Sequence, residues 1–237
     1  MKTCNTSPDT NTLHGLRKRE AGKSKKRRIK GKEKRKKGQE RKVENQMFRS
    51  EKQILKDAGL FEVRFHGRGG QGMVTASYII GDALVRDGFF VQAFPEFGPE
   101  RRGAPVRAYL RFSKSPIFRR DPIRRPDFLV IADPSLITLQ DTWEGADSDT
   151  TVIINGDENT AHDVKAKGFV RVFFVRATEI ALHVLKKPIF NVAIVGAFAR
   201  VLGFPSLQSL SDSVLRFVRD RKNIEVMRRA YENTEEV

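Results

Sequence analysis

Gly67-Arg68-Gly69-Gly70-Gln71-Gly72 follows the spacing G-x-G-x-x-G. Glycines so placed let the chain turn tightly and let a ligand approach the backbone. Where such a loop opens a helix, the free N–H groups and the positive end of the dipole favour an anion. Arg68 adds a guanidinium able to fork onto a diphosphate. The same glycines would also serve close strand–helix packing with no ligand at all. A dinucleotide site expects an acid about 20 positions past the loop, at the end of the second strand, for the ribose hydroxyls. Here that strand runs into Gln92-Ala93-Phe94-Pro95, and the nearest acid, Glu96, comes late and behind a proline. No Gly-Lys-Ser/Thr follows the loop, which excludes a P-loop. The loop calls for an anionic ligand without naming it.

A second constellation spans Phe94-Pro95-Glu96-Phe97-Gly98-Pro99-Glu100-Arg101-Arg102-Gly103-Ala104-Pro105. Proline and glycine at this density suit neither a helix nor a central strand. A stiff loop near the carboxyl end of the second strand is expected, beside the glycine loop, where open α/β sheets place their sites. Glu100, Arg101 and Arg102 are adjacent charges in that rigid frame, suited to a carboxylate, a phosphate or a partner surface; a solvated surface loop is the plain alternative. Other chemistry is scarce. The one cysteine, Cys4, cannot build a disulfide framework, a structural zinc site or an iron–sulfur cluster, which takes about four thiolates. His66 precedes the glycine loop and reads as a buried structural residue, while His162 and His183 lack partners at metal-binding spacing.

The elements that must position these groups alternate strand and helix. Phe61–Phe65 alternates apolar and polar residues and breaks at Gly67. Met73, Ala76, Ile80, Ala83 and Leu84 recur at helical spacing, with Gly88 placed to end the helix. Phe89–Phe94, Val106–Phe112, Phe128–Ala132, Thr151–Ile154 and Val170–Val175 read as strands, and Asp141–Thr150 as a surface loop. Phe128–Ala132 is continuously apolar, as in a strand covered on both faces. The last third reads as helices: Thr178 capping one that runs to about Leu185, Asn191 opening one ended by Gly203, Ser206 capping a third, and Asn223 opening a fourth. The expected fold is α/β, a mainly parallel open sheet with helices on both faces and a helical carboxyl-terminal part.

The formal charge is +16, but residues 1–46 hold 17 Lys/Arg against 5 Asp/Glu, leaving 28 against 24 for the rest. That segment is too poor in apolar residues to offset its ordering entropy and is expected to be a disordered basic tail. A functionless extension, a tether for nucleic acid or an acidic partner, and a true start at Met47 all fit it. The domain proper is expected over 58–237. No apolar run is long enough to cross a bilayer, and no secretory signal follows the basic start, so the placement expected is cytoplasmic.

His66–Gly72 together with Ala93–Pro105 resembles the paired signatures of the γ subunits of pyruvate and 2-oxoisovalerate:ferredoxin oxidoreductases. Asp127 through Asp133-Pro134 and Asn191–Ala199 are similar too, so the likeness runs from about Leu60 to Glu232. It implies one subunit of a complex with α, β and δ chains that oxidatively decarboxylates a 2-oxoacid, foremost pyruvate, with coenzyme A. The products are acyl-CoA, carbon dioxide and reduced ferredoxin. It further implies that thiamine diphosphate and the [4Fe–4S] clusters lie mainly on other chains, so no catalytic or metal-ligating residue is assigned here. The residues assigned to binding, with coenzyme A phosphates as the concrete candidate, are Gly67, Arg68, Gly69, Gly70, Gln71, Gly72, Glu100, Arg101 and Arg102. Two other classes compete: a stand-alone dinucleotide-binding oxidoreductase, and a nucleic-acid binder acting through its tail.

Overall fold

The computed structural model describes residues 59–96 and 102–237. The basic tail and the Met47 start therefore lie outside the described residues, as do Glu100 and Arg101. In chain order the elements are β1 (Phe61–Arg68), α1 (Met73–Arg86), β2 (Phe90–Pro95), β3 (Pro105–Ser113), β4 (Phe128–Ile131), a 3-10 turn (Pro134–Thr138) and α2 (Gln140–Trp143). They continue with β5 (Thr151–Asn155), α3 (Glu158–Lys165), β6 (Val172–Val175), α4 (Ala177–Leu185), α5 (Asn191–Leu202), α6 (Leu207–Val218), α7 (Lys222–Glu232) and β7 (Glu235–Glu236).

The strands form one sheet in the order β2-β3-β1-β4-β5-β6-β7. β1, β4, β5 and β6 pair in parallel, and every residue of β4, β5 and β6 is buried, as expected of strands covered on both faces. β3 is antiparallel to both β1 and β2, so β2 runs in the direction of β1 with β3 inserted between them. The mainly parallel expectation therefore holds for the centre, while β3 and the edge strand β7 run the other way. β1 also outlasts its expected end, because Gly67 and Arg68 still pair with Val106 and Pro105.

On one face, Phe65 and Phe128 meet Phe198 of α5 at 6.0 and 5.6 Å between ring centroids. Gly81 brings α1 close to Val91 and Leu110 on the same face. On the other, Leu129, Ile131, Val152, Ile154 and Phe174 pack under Leu136 of the 3-10 turn and Ala161 and Val164 of α3. Each fully buried Phe, Leu or Ile side chain contributes about 1.5–3 kcal/mol through its removal from water.

Helix ends follow the local signals unevenly. Gly88 (φ 79°) ends α1, with Gly88 N–H on Val85 O and Phe89 N–H on Leu84 O. Gly203 ends α5, and Ser206 caps α6 by accepting from Ser209 N–H. Thr178 does not cap α4, which begins one residue earlier, at Ala177. Its N–H donates to Asn155 Oδ1 and its hydroxyl accepts from Asn155 Nδ2, so a side chain from the end of β5 takes the capping place. Asn223 likewise lies inside α7, where Asp220 Oδ1 accepts from Lys222 N–H. The stretch expected as a loop from Asp141 opens within the short helix α2.

Candidate functional site

The two loops singled out in the sequence meet at the carboxyl end of β1. Gly69 N–H donates to Ala104 O at 2.8 Å, and Gly103 N–H donates to Gly69 O at 3.1 Å. Gln71 then ties the glycine loop twice: its Oε1 accepts from Arg68 N–H, and its Nε2 donates to Asp133 Oδ2, both at 2.7 Å. Asp133, just past β4, caps the 3-10 turn through Ser135 N–H and pairs with Arg68 at 3.3 Å. Burial alone would raise its carboxyl, yet the hydrogen bonds from Ser135 and Gln71 and the charge of Arg68 hold it below the ordinary carboxylate value.

Two of the glycines answer to close approaches. A Cβ on Gly67 would lie 2.6 Å from Met73 Cγ. Gly72 sits at φ 74° before α1, and a Cβ there would lie 2.8 Å from Asn191 Nδ2 of α5. No side chain caps α1 and its first turn holds no acid, so its leading N–H groups and dipole face an opening without a competing carboxylate.

That opening is a cavity of about 700 Å³, lined by the glycine loop, Met73 and Val74, with Arg68, Arg102 and Arg107 around it. Arg107 also lines a neighbouring cavity of about 490 Å³ with His66, Glu96 and Thr142. His66 is buried, and its Nε2 has no hydrogen-bond partner among the described residues. Burial, then the charges of Arg64 and Arg107, pushes its pKa down to about 3, so the ring is neutral.

Gly67 to Gly72 and Arg102 are thus brought together, with Arg102 Cγ 4.0 Å from where a Gly70 Cβ would stand. Glu100 and Arg101 lie outside the described residues. Arg68 lines the cavity but its fork is turned inward: Nη2 donates to Ser135 Oγ at 2.7 Å and Nη1 to Gly103 O at 3.0 Å. Its first task is to clasp the loops. Glu96, the acid nearest the end of the second strand, accepts from Tyr109 Oη and pairs with Arg107 instead of standing free for a dinucleotide ribose. Sequence reasoning passed over Asp133, Ser135, Asn191 and Arg107 as site residues. Asp133-Pro134 after an apolar strand was a usable signal. Arg107 was marked only by the polar alternation of β3, which places it opposite His66.

The family model for pyruvate ferredoxin/flavodoxin oxidoreductase matches residues 62–233. The chain belongs to that family. Within this oxidoreductase family it is 41% identical over 185 residues to the pyruvate synthase subunit PorC of Methanothermobacter thermautotrophicus, covering 75% of this chain and 98% of that one. It is 42% identical over 182 residues to the pyruvate/ketoisovalerate oxidoreductases common subunit gamma of Pyrococcus furiosus, covering 74% and 98%. Among solved structures, the pyruvate oxidoreductase subunit PORC of Thermotoga maritima is 32% identical with a TM-score of 0.66, covering 76% of this chain and 99% of that one. This chain's cysteine content does not fit an iron–sulfur cluster: Cys4 is its only thiol. Among the described residues no group of three or more His, Cys, Asp or Glu is placed to hold a metal.

Proposed function

We propose that this chain is the γ subunit of a pyruvate-type 2-oxoacid:ferredoxin oxidoreductase and that its glycine loop receives the phosphates of coenzyme A. The assembled enzyme converts the 2-oxoacid and coenzyme A to acyl-CoA and carbon dioxide, and two electrons pass to ferredoxin. Its α, β and δ subunits carry thiamine diphosphate and the clusters, and the complex is cytoplasmic. The relatives' names support the subunit role, since one is a pyruvate synthase subunit and another is shared by pyruvate and ketoisovalerate enzymes.

The observation that carries the coenzyme A reading is convergence. Arg68, Arg102 and Arg107 and the uncapped start of α1 line one cavity of about 700 Å³, with the forks of Arg68 and Arg107 partly engaged by Ser135, Gly103, Glu96 and Asp141 and Arg102 exposed. That volume lies within the range of about 300–1,000 Å³ usual for small-ligand sites. Arginine forks and backbone N–H groups are the donors that suit phosphate oxygens, and no acid of α1's first turn opposes them. The subunit's part is to bind and orient, while the bond-making chemistry belongs to the cofactors of the other chains.

The test is purification of the native complex through this chain, followed by pyruvate-dependent ferredoxin reduction at varied coenzyme A. Arg102→Ala is expected to raise the Michaelis constant for coenzyme A about tenfold, the loss of roughly 1.4 kcal/mol of charge-assisted binding. An unchanged constant in an intact complex sinks the coenzyme A assignment. Failure to isolate any partner sinks the subunit reading itself.

A further inference from the structure

The connection from β3 to β4, residues 114–127, contains neither helix nor strand. Loops longer than about 12–15 residues without regular structure are uncommon in a compact domain and usually functional, and this one approaches that length. It is also firmly held. Gln92 Nε2 donates to Ile117 O at 3.2 Å, and the fully buried Arg111 donates from Nη2 to Asp121 O at 2.5 Å. Ile123 is buried, and Thr150 Oγ1 donates to Pro126 O at 3.0 Å. Gly145, at φ 70°, lies so near that a Cβ on it would come 1.8 Å from Arg124 O.

Between the first two anchors the loop turns Phe118 into solvent, 90% exposed. Phe90, 49% exposed, shares a sheet face with Gln92 beside the same anchor. Arg119 is fixed by a fork onto Asp121, at 3.0 and 2.7 Å. Arg120, Arg124 and Arg125 are exposed and have no acidic partner among the described residues. Outside residues 1–46 the chain's charges nearly balance, so this loop gathers positive charge that the rest of the domain does not carry.

An aromatic ring and arginines, displayed on a loop whose ordering the fold has already secured, have the composition of an interface hot spot. We infer that residues 114–127 dock onto an acidic face of another subunit of the oxidoreductase, with Phe118 seated in an apolar recess and Arg120, Arg124 and Arg125 opposite carboxylates. The inference rests on the subunit reading above. The loop follows Ser113, and Phe112 pairs with Phe61 at the start of β1, so it leaves the sheet at the amino end of β1, the strand end opposite the glycine loop. Substitutions here therefore leave the cavity untouched.

The experiment compares native complexes isolated through wild-type chain and through Phe118→Ala and Arg120→Glu/Arg124→Glu/Arg125→Glu variants, with melting of each purified chain as control. Wild-type association that weakens with salt, and variants that melt normally yet bind the partner at least about tenfold more weakly, support the docking role. Should the triple variant melt early, Phe118→Ala decides, since a ring that exposed holds nothing in the fold. Wild-type assembly with undiminished variants overturns the docking inference alone. A wild-type chain that assembles with no partner overturns the subunit reading and the inference together. Association abolished by nuclease would assign the loop to nucleic acid and overturn it as well.

Discussion

Gln71 Nε2 donates to Asp133 Oδ2 at 2.7 Å, and this bond joins the glycine loop after β1 to the turn after β4. Because Gln71 Oε1 also accepts from Arg68 N–H, one amide holds both the inside of the loop and its neighbour. Gln71→Ala leaves a part-buried backbone donor and a carboxylate short of a partner, and unsatisfied groups of this kind cost about 1–3 kcal/mol each. Denaturant unfolding of the purified chain is expected to show a loss of that size. An unaltered midpoint would mean that water replaces the amide at no cost.

Gly72 and Gly88 separate two costs of adding a methyl group. Both have left-handed backbone, at φ 74° and 79°, but a Cβ on Gly88 meets nothing within 4 Å while one on Gly72 meets Asn191. Gly88→Ala is expected to lose about 1–2 kcal/mol from backbone strain alone. Gly72→Ala should lose a further 1–3 kcal/mol or so from overpacking. Asn191→Ala combined with Gly72→Ala should recover only that second part. Equal losses at the two glycines, measured by thermal unfolding, would show that α5 yields freely.

Arg68 and Arg102 line the same cavity with different attachments. Arg68→Ala removes bonds to Ser135 Oγ and Gly103 O, so it should lower stability and raise the Michaelis constant for coenzyme A together. Arg102→Ala, on an exposed residue, should move the Michaelis constant and leave the melting temperature within about 1 °C. Matching stability losses for the two variants would remove the distinction.

His66 sets an acid limit. Its folded pKa is about 3, against an ordinary value near 6.5. Between these pH values the unfolded chain binds a proton that the folded chain refuses, so stability falls as pH drops through that window. The slope from this residue is at most about 1.4 kcal/mol per pH unit. His66→Gln has no such proton to refuse. The stability difference between wild type and variant should therefore shift in the wild type's disfavour from pH 6.5 toward pH 3 and stay flat above pH 7. Parallel curves would place a proton on the buried ring.

Local signals were read well where the determining interaction is local. Gly88, Gly203 and Ser206 end or cap their helices as their types predict, because those bonds close within a few residues. Thr178 misleads for the complementary reason. Asn155, on another element, takes the place Thr178 was expected to fill. The polar alternation of β3 was visible, but it does not tell which way β3 runs or that it inserts between β1 and β2. That insertion places Arg107 opposite His66 and sets it on the cavity.

The amino-acid sequence alone determined that a glycine-rich loop opens a helix after the first strand, and that the chain's one thiol is too few for an iron–sulfur cluster. Each of these follows from residue type and short-range spacing. Tertiary structure alone decided that Arg68 faces inward as a clasp, that Asp133 and Asn191 complete the loop's supports, and that Phe118 stands out in water. Those outcomes depend on which distant segments meet, and strand order and packing settle that where spacing along the chain does not.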